Sequence, residues 1–323
     1  LKVLSLFDGI SCGRVALERA GIEVEAYYSS EIDEKAMSVA QRNYPDTIQL
    51  GTVLNWRDWD LPDLDLVMGG SPCQGFSIAG KRLNFDDPRS RLFFEFVNVV
   101  RTLKPRWFLL ENVNMKAEWR DIITEQLGVQ PILINSNLVS AQNRPRLYWT
   151  NIPKVTAPDD KRVFLKDIVQ NDVDEKHRLK TSQDMNKDFK HVDVPFAMTE
   201  RRTLESKRLR RVNRLKHGID FSPRRGKEMV ARTDMKMNCL TAAYSVKEHT
   251  IIDNQHVYRK LTPIECERLQ TLPDDYTAGA SDLQRYKMLG NGWTVDVIAH
   301  ILSLTTEEGQ AKEAQRGLGA WFS

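Results

Sequence analysis

Cysteine is scarce in this chain of 323 residues, and the four that occur are far apart. Cys12, Cys73, Cys239 and Cys266 form no Cys-x-x-Cys pair, and no histidine cluster stands near them. Such spacing argues against a zinc site and against a disulfide framework, so no metal is expected and a reducing, intracellular setting fits. Long apolar runs and a secretory h-region are also missing, which leaves no expected membrane partner. Neither Gly-x-Gly-x-x-Gly nor a phosphate-cradling Gly-Lys-Ser/Thr occurs, so a cofactor without phosphates fits better than ATP. An excess of one charge is lacking too. The net charge is only +3, so the total says nothing about nucleic acid and only its distribution does.

What is present is the composition of a soluble globular protein, 41% hydrophobic and 28% charged, with length for one large domain or two moderate ones. Leu1 runs straight into strand-like sequence, as in a trimmed chain. Lys2 to Phe7 has the character of a central strand. Asp8-Gly9-Ile10-Ser11-Cys12-Gly13 follows, and Arg14 to Ala20 has helical spacing ended by Gly21. A strand, a glycine-bearing turn and a helix open a nucleotide-binding unit, although a tight structural turn reads the same way. The next strand, Val24 to Ser29, leads to Glu31. An acid there is placed to bond ribose hydroxyls, or else to cap the helix beginning near Asp33.

Asp65 to Ser77 (DLVMGGSPCQGFS) holds a buried strand, two glycines and then Pro72 stiffening the chain before Cys73. A thiol at the C-terminal end of a buried strand sits where open α/β sheets bind ligands, although an inert buried cysteine is the plain alternative. The polar, basic stretch from Ile78 to Arg91 has the composition of an active-site loop. A helix is expected from Leu92 to Leu103. The strand Arg106 to Leu110 then runs into Glu111-Asn112-Val113, whose buried acid needs a partner or a role. Two further strands, Pro131 to Asn135 and Arg146 to Ile152, flank Gln142-Asn143-Arg144-Pro145-Arg146. Arginines two apart on an extended segment face one side, so both guanidiniums could enter one site.

The strand–helix rhythm is lost from Lys154 to Tyr258. Within that span Thr199 to Arg232 is dense in base, with Leu204, Leu209, Val212 and Leu215 expected to line an inward helical stripe and leave the arginines outward. A run so nearly of one sign tilts towards a phosphate-contacting surface over a merely solvated face. Thr262-Pro263-Ile264-Glu265 is a strong helix start. Gly290-Asn291-Gly292-Trp293 then stands ahead of a helical run to Leu304, and a polar tail follows from Thr305.

In this order the motifs resemble the DNA cytosine-5 methyltransferases, from Val3 to about Leu304. Phe7-Asp8-Gly9 resembles the family's cofactor turn, Glu31 its ribose-binding acid and Pro72-Cys73-Gln74 its catalytic loop. Glu111-Asn112-Val113 is similar to its Glu-Asn-Val, Gln142-x-Arg144-x-Arg146 to its Gln-x-Arg-x-Arg, and Leu289-Gly290-Asn291 to its closing cofactor segment. Departures stand at Ser11 and Cys12, where the family has glycines, and at Gly292, where it has serine. Thr52 replaces the acid that meets the adenine amine. The first turn and Trp293 look closer to animal de novo DNA methyltransferases, the Pro-Cys-Gln loop to bacterial and phage enzymes.

The resemblance implies a mostly parallel, Rossmann-like α/β methyltransferase sheet with helices on both faces, plus a smaller, irregular target-recognition domain. Residues 1–153 and 259–304 would form the catalytic domain, 154–258 the recognition domain and 305–323 a polar tail. It implies S-adenosylmethionine as methyl donor, held by Phe7, Asp8, Gly9, Ile10, Cys12, Glu31, Ile32, Val53, Pro72, Leu92, Asn291 and Trp293, with S-adenosylhomocysteine as product. Cys73 would attack cytosine C6, Glu111 protonate N3, and Arg146 with Arg144 stabilise the adduct. Since those atoms are unreachable in a stacked duplex, the cytosine would be flipped out. Duplex DNA, the expected partner, would be met by Gln74, Ser77, Lys81, Arg82, Gln142, Arg208, Arg211, Arg224 and Arg225. A monomer is expected, in cytoplasm or nucleoid if bacterial or phage, with a partner restriction endonuclease left open. The rivals are a tRNA cytosine-5 methyltransferase on the same catalytic domain and a non-catalytic DNA-binding relative.

Overall fold

The computed structural model describes residues 1–71, 88–179, 194–218, 227–242 and 249–306. Strand β1 (Lys2–Leu6) is buried along nearly its whole length, as a parallel strand covered on both faces must be. It pairs in parallel with β2 (Ala26–Ser30) on one side and β4 (Leu66–Gly69) on the other. With β3 (Ile48–Gln49), β5 (Trp107–Val113), β6 (Ile132–Asn135) and β7 (Pro145–Thr150) they form one seven-stranded sheet, ordered β3-β2-β1-β4-β5-β7-β6. Only β7 runs antiparallel to its neighbours.

Side-chain alternation divides the core between the two faces. On one face Val3, Met68 and Leu109 pack with Val15 and Ala16 of helix α1 (Cys12–Arg19). On the other Leu4, Leu6, Val67 and Leu110 pack with Phe93, Phe96 and Val97. Among the described residues the remaining α-helices are, in chain order, α2 (Glu34–Asn43), α3 (Pro88–Leu103), α4 (Ala117–Leu127), α5 (Leu204–His217), α6 (Pro263–Leu269), α7 (Asp282–Asn291) and α8 (Val295–Ser303). Ile298 and Ile301 of α8 belong to the first face, so the last helix closes over the first. Chain order reverses between β1 and β4, which places a ligand crevice beyond the C-terminal ends of those strands. Among the described residues no helix is long and apolar enough to cross a membrane.

The helix start read at Thr262 is present in full. Thr262 Oγ1 accepts from Glu265 N at 3.1 Å, and Glu265 accepts from Thr262 N at 2.8 Å. Arg259 locks the preceding turn, donating to Asp253 at 2.8 Å and to Glu265 at 2.7 Å from full burial.

The span that looks irregular in sequence carries three strands of a second, four-stranded antiparallel sheet, ordered β11-β10-β8-β9, whose last strand starts at the end of the span and runs beyond it. Its strands are β8 (Phe196–Arg202), β9 (Lys227–Ala231), β10 (Thr250–Ile252) and β11 (Tyr258–Lys260). Here the expected apolar stripe of α5 is corrected. Leu204, Leu209, Val212 and Leu215 are 83%, 40%, 37% and 77% exposed. The inward side is Ser206, with Arg210 and Asn213 half-buried, spaced i, i+4 and i+7 on a different side of the axis. Aliphatic and basic side chains therefore share the outer face.

Candidate active site

The turn after β1 is tight enough to put Phe7, Gly9 and Ser11 at φ of 58°, 60° and 60°. It is held from inside by Asp8, which accepts hydrogen bonds from Ser11 Oγ, from Tyr27 OH at 2.7 Å and from Ser29 Oγ at 3.0 Å. Burial pushes the Asp8 carboxyl above its ordinary value, with the hydroxyl donors pulling the other way. Gly9 N donates to Glu31 Oε2 at 2.8 Å, while Ile32 N and Asp33 N donate to Glu31 Oε1 at 2.7 and 2.9 Å. Three backbone donors thus fix that carboxylate at the end of β2. The cap of α2 belongs to Asp33, which accepts from Lys35 N and Ala36 N and pairs with Lys287 at 2.7 Å. The Lys287 ammonium holds the Asp33 carboxyl below its ordinary value.

Across the crevice, β5 and β7 pair with Val113 opposite Arg146. That register brings Glu111 Oε1 to 2.9 Å from Arg146 Nε, with both side chains largely buried. Burial opposes the charge of Arg146, but Glu111 and then Cys239 outweigh it, so the guanidinium is held above its ordinary value. Cys239 Sγ lies 3.6 Å from Arg146 Nη2 and 3.4 Å from Arg144 Nη1. Arg144 and Arg146 therefore do meet at one atom, yet they are used differently. Arg144 is 3% exposed, and its terminal nitrogens donate to the carbonyls of Leu240, Gly290 and Gly292. Burial first, and the neighbouring Arg146 second, press its pKa down.

One cavity of about 530 Å³ joins the two ends. Of the residues expected around a cofactor, Phe7, Asp8, Gly9, Ile10, Cys12, Glu31, Ile32, Val53, Leu92, Asn291 and Trp293 line it, together with Glu111, Arg144 and Arg146. Thr52, Ser71, Asn112 and Lys287 line it as well. The sequence marks Asn112 as part of a motif without showing what its amide does. In the structure its Nδ2 donates to Ser71 O at 3.3 Å and to Ser71 Oγ at 3.2 Å. Gly70 permits a close approach here. A Cβ on it would stand 2.9 Å from Trp293 Nε1 and 3.2 Å from Glu111 Oε2. Two departures from the family pattern meet in the same wall, since a Cβ on Gly292 would lie 3.3 Å from Cys12 Sγ. Burial pushes the Cys12 thiol up to about 12.

Gln142 is corrected. It is fully buried, with Oε1 accepting from Leu240 N at 2.8 Å and Nε2 donating to Leu269 O at 3.1 Å, so it has no surface to offer DNA. Arg208 and Arg211 are exposed on α5. Pro72, Cys73, Gln74, Ser77, Lys81, Arg82, Arg224 and Arg225 lie outside the described residues. Cys239 has no signal in the sequence beyond its scarcity. Among the described residues no group of three or more His, Cys, Asp or Glu could hold a metal ion.

A cavity of this size is in the range that takes a nucleoside-sized ligand. Its lining fits S-adenosylmethionine: a fixed carboxylate able to accept from ribose hydroxyls, apolar walls from Phe7, Ile32 and Trp293 and, among the described residues, no phosphate cradle. Among curated proteins, the type II methyltransferase M1.ScrFI of Lactococcus lactis subsp. cremoris is 30% identical over 92% of this chain and 76% of its own length. The type II methyltransferase M.HpaII of Haemophilus parainfluenzae is 30% identical over 91% of this chain and 86% of its own. A solved structure of the Dnmt2 methyltransferase of S. pombe has the same fold, with a TM-score of 0.61 at 19% identity over 94% of this chain and 98% of that one. Residues 1–306 match the C-5 cytosine-specific DNA methylase description. The family takes its methyl group from S-adenosylmethionine. An α/β sheet with its crevice at the β1/β4 reversal, carrying that motif order from end to end, places this chain in the C-5 cytosine-specific DNA methylase family, as a DNA cytosine-5 methyltransferase.

Proposed function

We propose that Cys73, Glu111 and Arg146 carry methyl transfer to C5 of a cytosine swung out of duplex DNA. The observation that supports this reading is the single continuous cavity, with a carboxylate–guanidinium pair at one end and the Glu31 cradle at the other. Cytosine C5 is a poor nucleophile, and addition of the Cys73 thiolate at C6 makes it an enamine-like carbon. Glu111 would carry the proton to N3, and Arg146, already bonded to Glu111, would hold O2 and offset charge developing on the ring. S-adenosylmethionine, when bound, would supply an electrophilic methyl group to C5, and loss of the C5 proton, its electron pair expelling the sulfur from C6, would then release Cys73. Glu31 would hold its ribose, with Phe7, Gly9, Ile10, Ile32, Val53, Leu92, Asn291 and Trp293 around it, while Asp8 shapes the turn from inside. Arg144 would act from behind the site. Residues 154–258, with their second sheet and the outward arginines of α5, would be the recognition domain, and Arg208 and Arg211 would meet phosphates.

The test follows tritiated methyl from labelled S-adenosylmethionine into duplex DNA and into tRNA. Label in DNA and not in tRNA is expected, and labelling of tRNA alone would sink the reading. Cys73→Ala should lose transfer by at least about 10⁴-fold, as removal of a covalent nucleophile does, while S-adenosylhomocysteine still binds. Full activity in that variant would refute the nucleophile assignment.

A further inference from the structure

One buried guanidinium touches both halves of the site. Arg144 Nη1 donates to Leu240 O at 2.8 Å, on the segment between β9 and β10. Its Nη2 donates to Gly290 O at 3.2 Å and Gly292 O at 2.9 Å, on the cofactor side of the cavity. Two glutamines brace the joint. Gln142 accepts from Leu240 N, and Gln270 Nε2 donates to Leu289 O at 2.6 Å and Gly292 O at 3.0 Å. The two segments also meet backbone to backbone, because a Cβ on Gly290 would fall inside 3.0 Å of Thr241 and Ala242. A planar guanidinium bonded to both cannot follow one segment without drawing on the other. Two residues on, Arg146 pairs with Glu111, and Cys239 Sγ bridges the two arginines.

We infer that Arg144 is a positioning residue that couples the two sites, so that filling the cofactor end favours the Leu240 segment in the arrangement that aims Arg146 at the base. Arg144 thus works through the segments it ties and through Arg146. By linkage, DNA must then tighten the cofactor by the same factor that cofactor tightens DNA. This rests on the S-adenosylmethionine reading above.

The experiment measures S-adenosylhomocysteine affinity by calorimetry, with and without saturating sheared, unmethylated genomic duplex DNA. The wild-type chain is compared with Arg144→Lys, which keeps the charge and loses the fork. DNA should tighten the ligand about fivefold or more in the wild type, and less than about twofold in the variant. An unchanged ratio in the variant, or no tightening in the wild type, overturns the inference. So does an equal loss of both affinities with the ratio retained, which is what a purely structural role would give. Should Arg144→Lys not fold, Gln142→Met removes the bridge to Leu240 N at similar volume and should lower the ratio, and an unchanged ratio there overturns the inference equally. Failure of the wild type to bind S-adenosylhomocysteine would sink the cofactor reading itself; retained binding with an unchanged ratio sinks only the coupling.

Discussion

The two ends of the cavity are built from contacts of different reach. At the cofactor end Asp8 is bonded to residues 3, 19 and 21 positions away, and Gly9 to Glu31 across 22. Behind the base end Arg144 reaches Leu240 across 96 positions and, towards the cofactor side, Gly290 across 146, and Gln142 reaches Leu269 across 127. The first set of bonds lies inside one βαβ unit, although Lys287, Asn291 and Trp293 reach the same end of the cavity from far along the chain. The second exists only after distant pieces of chain have met, so its loop-closure cost is met by buried polar bonds that all form together.

The sharpest way to break the comparison is at Gly290, where the distant pieces touch. Gly290→Ala inserts a methyl group against backbone that cannot yield, and should cost about 3 kcal/mol or more, read from chemical denaturation. A variant as stable as wild type would mean that the joint is not closed. The cofactor end should respond less. Gly292→Ser alone should destabilise by about 1 kcal/mol against the Cys12 sulfur, and adding Cys12→Gly should recover about 0.5 kcal/mol or more of the summed loss. Strict additivity in that cycle would show that the two departures from the family pattern are independent. The smallest effect belongs to the recognition side. Leu215→Ser on α5 should change stability by less than about 0.5 kcal/mol, because this leucine is 77% exposed, and a larger loss would mean that it is covered in solution.

Reach also explains what can be read from the sequence. The first turn, Glu31 and the Thr262 capping box obey rules that operate within a few residues or one supersecondary unit, and those elements stand where the spacing puts them. The core of the parallel sheet is legible in the same way, from apolar runs bounded by glycine. Gln142 escapes such a reading because a glutamine in an extended, basic segment gives no local sign that its amide will close on Leu240 and Leu269. The α5 stripe escapes it because helical period fixes which residues share a face but not which face is covered. Arg144 and Arg146 are equivalent in sequence. Their roles are separated by Glu111, which pairs with Arg146, and by the carbonyls of Leu240, Gly290 and Gly292, far along the chain, which surround Arg144.

Gly70 carries a consequence for how finely the enzyme is balanced against self-obstruction. The strip of space beside its α-carbon is bounded by Trp293 on one side and Glu111 on the other, and is narrower than a methyl group requires. With only a hydrogen on its α-carbon, Gly70 lets the Trp293 indole and the Glu111 carboxylate stand this close to the backbone, and any larger side chain would have to displace one of them.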